Sequence, residues 1–211
     1  MSFVMELFEE TSRSQQKLES LPLVKDILNG AYPKENYISL LKNLYTVVLN
    51  FCPIMAAAAS RCKPEEIDLQ NYLYGHIFEE KRHEEMVLND LLAFDIPPAA
   101  VKNASPSLPV QAMVAYNYYM QDRSRACSVL GMIYVLEVVS SQYGDKVATG
   151  VANNTNRSLD HGFSFLSSHS TMDVDHMSTL KEVLQLIQDP TDQKILMESI
   201  KMNFYFVTQI I

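Results

Sequence analysis

The sequence predicts an all-α protein folded as a single helical bundle. Three observations point there. Glycine is scarce, at 6 of 211 residues, and alternating β-branched runs are few. Prolines and polar clusters separate long stretches in which apolar residues recur at helical spacing. An apolar share of 47% over 211 residues is enough for one sizeable core, so residues 1–211 read as one domain. No repeat of fixed period and no low-complexity tract divides the chain.

The elements follow from this punctuation. The opening MSFVMELFEETSRS carries acids where a secretion signal needs a basic start and a long apolar stretch. Pro33 opens a helix from Lys34 to about Arg61, with Tyr37, Leu40, Leu41, Leu44, Val48 and Phe51 at helical spacing. Pro53 should kink this helix without ending it, because alanine-rich sequence continues beyond. Pro64, followed by Glu65 and Glu66, suits a first turn: its missing N–H has no helical partner there, and the acids complement the positive end of the dipole. That helix is expected to run to Phe94, where Asp95-Ile96-Pro97-Pro98 stops it. Lys102–Pro109 (KNASPSLP) reads as a connection. Two helices then span about Val110–Asp122 and Ser124–Ala148, and Gly150–Asn156 reads as a loop. A further helix covers about Leu159–Ile187, with a break expected near Ser170-Thr171. Asp189 and Pro190 suit the N-cap and first position of a last helix. The total is about seven helices.

Bulk properties narrow the function. A net charge of −8 with no basic stripe argues against a nucleic-acid partner. No apolar run approaches the roughly 20 residues that span a bilayer. The longest candidates, Val47–Ala59 and Val129–Val139, are interrupted by Asn50 and Pro53 or by Glu137. Cys52, Cys62 and Cys127 are widely spaced, odd in number and form no CxxC, which predicts reduced thiols and a cytoplasmic location. An acidic bundle with 11 methionines also suits a homodimer.

The chemistry concentrates at histidines. Glu80 precedes His83 by three residues, and Asp173 stands in the same relation to His176. On a helix this spacing puts a carboxylate and an imidazole on one face, so each pair can offer two ligands to one ion. Two such pairs facing each other across a bundle form the di-iron carboxylate design. His169, Asp173 and His176 stand at i, i+4 and i+7 on one stripe. His76 and His83 are also seven apart, with Glu79 and Glu80 between them. A solvated polar stripe is the ordinary reading of one such pair; the two together favour a metal. Glu137 lies in Val129–Val139, which is apolar nearly all round as a helix and should be buried. A buried carboxylate needs a cation or a metal, and Arg123 and Arg125 are more than two turns away. His161 falls outside these stripes and reads as a surface residue.

Glu137 followed by His169-x3-Asp173-x2-His176, with His83 upstream, resembles the haem-oxygenase-like di-metal oxidase family and, within it, the CADD-like proteins. The resemblance covers about residues 30–190. It implies a haem-oxygenase-like helical bundle, the fold shared by TenA and PqqC, that binds two irons and no haem. It implies His83, Glu137, His169, Asp173 and His176 as ligands. Where the family's first glutamate is expected, seven residues before His83, this chain has His76. Either His76 replaces that ligand or Glu79 or Glu80 takes its place one turn on. A mixed Mn/Fe pair would suit the same donors.

The resemblance also implies O2 as a reactant, an electron donor, and either a small organic substrate or a tyrosine of the chain itself. CADD-like proteins are implicated in forming p-aminobenzoate for folate synthesis through their own tyrosine. Tyr32, Tyr134 and Lys146 are the candidates for that chemistry here, although core packing is the ordinary role of each tyrosine. Three rival readings carry different signatures. A TenA-like thiamin-salvage hydrolase would use Cys127 as nucleophile and leave the histidine motif unexplained. A death-domain-type binding bundle would not need the histidines at all. A ferritin-like iron store would have no use for His169 as an extra ligand. A haem oxygenase proper is disfavoured, because no histidine precedes His76.

Overall fold

The computed structural model describes residues 3–211, with the side chains of Val4 and of residues 170–175 outside the description. The helices are α1 (Phe3–Ser20), α2 (Pro22–Leu28), α3 (Lys34–Ala59), α4 (Ile67–Glu80), α5 (His83–Ala93), α6 (Pro98–Lys102), α7 (Leu108–Arg123), α8 (Val129–Thr155), α9 (Ser164–Gln185) and α10 (Pro190–Ile210). Short 3₁₀ turns at Pro64–Glu66 and Ala126–Ser128 lead into α4 and α8. No strand occurs among the described residues. The chain is therefore all-α, as its composition predicts.

The most apolar segment becomes the axis. α8 packs against α9 and α10 on one side and against α2 and α3 on others, so it is buried nearly all round. α3 and α8 are both long and apolar enough to cross a membrane on length and composition alone, and the α8 stretch is mostly buried within the bundle. Two apolar cores form along this axis. One gathers residues such as Phe51, Met55, Leu130, Ile133 and Phe204. The other gathers Tyr37, Leu41, Leu91, Val147 and Phe163. Pro53 sits inside a continuous α3, consistent with the prediction that it would not end the helix.

Three boundaries differ from the sequence prediction. The stretch predicted as one helix from Pro64 to Phe94 is split: Lys81 is extended and Arg82 is left-handed, with φ 70°, so α4 ends at Glu80 and α5 restarts at His83. Neither residue is Gly or Pro, so sequence punctuation gave no warning; a non-glycine residue in this region costs about 1–2 kcal/mol and is typical of functional sites. The predicted loop at Gly150–Asn156 is the last part of α8, which ends at Thr155 with Asn156 left-handed beyond it. Gly150 is there for proximity: a β-carbon would stand 3.3 Å from the Gly30 Cα. Asn154 ties this end down, donating to the Gly30 carbonyl at 3.1 Å. The helix predicted from Leu159 starts instead at Ser164 and runs unbroken to Gln185.

Candidate metal centre

Four helices bring the predicted ligands together. α4 ends with His76 and Glu80, α5 begins with His83, α8 carries Glu137, and α9 carries His169 and His176. His76, Glu80 and Glu137 are each no more than 4% exposed, and His169 is also buried. The side chain of Asp173 lies outside the description.

The donor atoms fall into two groups that share Glu80. In the first, Glu137 Oε1 lies 3.2 Å from His76 Nε2 and 3.3 Å from His176 Nδ1. Glu80 Oε1 reaches the same place, 3.6 Å from His176 Nδ1. In the second, Glu80 Oε2 lies 2.9 Å from His83 Nδ1 and 3.6 Å from His169 Nε2. His83 Nδ1 and His169 Nε2 are themselves 3.1 Å apart. Within each group the ligand atoms all lie within 4.8 Å of one another. Glu80 thus turns one carboxylate oxygen towards each group. The break at Lys81-Arg82 makes this possible by placing Glu80 at the end of one helix and His83 at the start of another.

Outer contacts fix the rings. The His169 Nδ1–H donates to the Phe165 carbonyl at 2.7 Å, which directs Nε2 into the cluster. Glu79, itself half exposed, sits 3.7 Å from His76 Nδ1 and 3.5 Å from His176 Nε2, on the far nitrogens of both imidazoles. Tyr72 stacks on His76 with ring centroids 5.5 Å apart. α9 is registered by Asp90 of α5, which accepts from Ser164 N, Ser164 Oγ and Phe165 N at 2.8–2.9 Å. Asp90 could not be picked out by local pattern, because it caps a helix 74 residues away in the chain.

Electrostatics agree with a cationic occupant. Burial alone would push the Glu80 carboxyl up, but hydrogen bonds and charge from His169 and His83 hold it well below the usual carboxylate range. Glu137 shows the same balance, with burial opposed and overcome by His176 and His76. Glu80 Oε1 and Glu137 Oε2 are buried and find no hydrogen-bond partner. A native fold seldom leaves such atoms orphaned. Two carboxylates and four imidazoles with inward-facing lone pairs are the oxygen and nitrogen donors that iron, manganese or zinc accept. The residues present fit a pair of such ions.

An apolar cavity of about 130 Å³ opens beside the cluster. Glu80, Glu137 and His169 are part of its lining, and the rest comes from α1, α2, α3, α7, α8, α9 and the C-terminal residues. It draws on both cores, so it lies at the seam where they meet.

The three residues predicted for self-oxidation lie elsewhere. Tyr32 is buried, with its hydroxyl 3.5 Å from the Asn36 carbonyl. Tyr134 shares a 2.8 Å hydrogen bond with Thr11. Lys146 is exposed and stands 5.5 Å from the Tyr143 ring centroid. None of them lines the cavity or belongs to the cluster. Cys127 is 1% exposed in the main core, and burial first, then Asp192, pushes its thiol up to about 12. His161 is exposed, as predicted.

A family model described as an iron-containing redox enzyme matches residues 38–204. No curated protein matches the chain significantly. Among solved structures, a domain of unknown function with a heme oxygenase-like fold from Shewanella denitrificans is similar, with a TM-score of 0.87 and 18% identity over 100% of this chain and 90% of that one. A TenA homologue from Pseudomonas syringae superposes with a TM-score of 0.81 and 14% identity over 99% and 90% of the two chains. A CADD-like protein of unknown function from Nostoc punctiforme gives 0.70 and 15% over 98% and 95%. The fold is therefore heme oxygenase-like.

Proposed function

The chain belongs to the iron-containing redox enzyme family, and from that premise we propose that it holds two irons across Glu80 and uses them with O2 to oxidise an organic substrate. The observation that carries this reading is the divided carboxylate: Glu80 Oε1 faces the His76–Glu137–His176 group and Oε2 faces the His83–His169 group. A single-ion site would have no use for that arrangement. Iron bound there would supply the one-electron chemistry that O2 needs, since O2 reacts sluggishly with paired-electron organic molecules.

The protein's own residues do the rest. His76, Glu137 and His176 would hold one ion, His83 and His169 the other, and Glu80 would bridge them. The Phe165 carbonyl fixes the tautomer of His169 by taking its Nδ1–H. Glu79 is placed to hold protons on the outer nitrogens of His76 and His176, which keeps their inner lone pairs available. The apolar cavity excludes bulk water from the Glu80, Glu137 and His169 side. An electron donor outside the chain would restore the reduced state. The placement of Tyr32 and Tyr134 outside the cluster and the cavity lining favours an entering substrate over oxidation of either of these two tyrosines.

The test is metal counting under anaerobic Fe(II), followed by visible spectroscopy as O2 is admitted. The wild type is expected to retain close to two irons per chain and to develop a transient absorbance. His169→Ala should retain about one, and Glu80→Ala about one or none. A wild type that retains no iron, or a Glu80→Ala variant that loads like the wild type, would sink the reading.

A further inference from the structure

We propose that divalent metal ions enter the centre through a polar pocket between α4 and α9, where Glu79 captures them before they pass to the inner donors; this rests on the di-metal reading, whose ions it supplies. The pocket encloses about 300 Å³. Asn71, Gly75, Glu79 and Thr179 line it, and His76 and His176 form part of its wall. The apolar cavity instead meets Glu80, Glu137 and His169.

The two openings differ in what they offer an arriving ion. A divalent cation carries a bound water shell, and shedding that shell is prohibitive unless polar groups replace it. Apart from the ligands themselves, the apolar cavity offers only the side-chain hydroxyls of Ser140 and Tyr143. Tyr143 is already committed to Glu19 at 2.8 Å. The polar pocket offers a carboxylate, an amide and hydroxyls. Tyr72 also lines it, and its hydroxyl is buried with no hydrogen-bond partner, so it is available to the water an ion brings. The chain's net charge of −8 draws cations towards the surface in the first place.

The way in is one ring wide. Glu79 Oε2 lies 3.7 Å from His76 Nδ1 and 3.5 Å from His176 Nε2, which leaves Oε1 for an arriving ion. On the other side of the same rings, His76 Nε2 and His176 Nδ1 lie 3.2 and 3.3 Å from Glu137 Oε1. An ion held at Glu79 is thus the width of an imidazole from the first donor group. Glu79 is half exposed, whereas Glu80 and Glu137 are buried, so it is the carboxylate that solvent ions meet first.

Gly75 keeps the pocket open. It lies inside α4, where glycine weakens a helix relative to alanine. Packing does not demand it, because a β-carbon there would meet nothing within 4 Å. A larger side chain at this position would instead occupy room that an ion and its waters need.

Timed anaerobic loading of the metal-free protein with Fe(II) tests the proposal. Samples are quenched with a colour-forming chelator and the iron kept by the protein is counted; release is followed by mixing loaded protein with the same chelator. Gly75→Trp, which fills the pocket, should slow loading and release by the same factor, about ten-fold or more, the order by which electrostatic capture raises on-rates. Its final count should stay at that of the wild type. Equal slowing in both directions marks a port, since a damaged ligand would speed release. Asn71→Lys, on the exposed rim, should slow loading roughly ten-fold at low ionic strength and much less in about 1 M salt. This variant decides the matter should Gly75→Trp fail to fold. Leu44→Trp, which fills the apolar cavity, should load at the wild-type rate. Wild-type loading by either pocket variant, or equal slowing by Leu44→Trp, would overturn the proposal. If the wild type keeps two irons and entry is unslowed, only this inference falls. If the wild type keeps no iron, the di-metal reading falls and takes the port with it.

Discussion

At the scale of single residues, the placement of Cys127 separates two chemistries that its sequence context leaves open. A nucleophilic thiol needs exposure and a lowered pKa, and Cys127 has neither: it is buried in the main core with its thiol pushed up to about 12. Iodoacetamide at pH 8 is therefore expected to leave Cys127 unmodified in the native protein while labelling it after denaturation, as read by mass spectrometry. Fast native labelling would reopen the hydrolase reading. The candidate ligands could be picked out for a local reason. His169 and His176 are seven apart on one helix, and Glu137 is the lone charge in an apolar run, so spacing and expected burial single them out as candidates. The division of labour within Glu80 was not legible. It depends on which oxygen faces which helix, and that follows from tertiary placement.

At the scale of elements, the break at Lys81-Arg82 and the start of α9 are two parts of one device. The break sets Glu80 and His83 on separate helices, and α5 then reaches across with Asp90 to cap α9, the helix that carries His169. Periodicity placed helices correctly in these stretches because apolar spacing is a local signal. It missed the break because Arg82 adopts a left-handed conformation that no neighbouring residue announces. It missed the true start of α9 because the cap comes from a distant helix. Burial pushes the Asp90 carboxyl above its usual range despite three accepted bonds, so acceptor geometry matters more here than charge. Asp90→Asn would set an N–H against one of those donors, at a cost of about 1–3 kcal/mol. Differential scanning calorimetry should show a midpoint lowered by roughly 5 °C for a chain of this size. On the proposed two-iron reading, the same variant should also bind the iron held by His169 more weakly, because the register of His169 follows that of Phe165. An unchanged midpoint would show that α9 holds its register without this cap.

At the scale of the whole molecule, α8 and α10 lock together around one small residue. A β-carbon on Gly131 would collide with the Oγ and Cβ of Ser199 and come within 2.9 Å of the Ile200 N. Ser199 is fixed in turn, donating to the Ser128 carbonyl at 2.8 Å, and it sits beside a buried amide pair in which Asn117 donates to Asn203 at 2.8 Å. Gly131→Ala is expected to destabilise the fold by about 1–3 kcal/mol through overpacking, measured by urea unfolding, with iron content per folded chain unchanged. A neutral effect would mean that the α8–α10 contact can open without cost. The fold class could be predicted because scarce glycine and helical apolar spacing are properties of composition; the meeting of two cores at a seam could not, because it depends on long-range packing. That seam has a consequence for the molecule's volume. A folded chain that encloses empty apolar space is larger than the sum of its packed parts, and water reclaims that space when the chain opens. Hydrostatic pressure would therefore act on this bundle first along the line where the cores fail to merge, and a guest filling the seam would stiffen the molecule against compression.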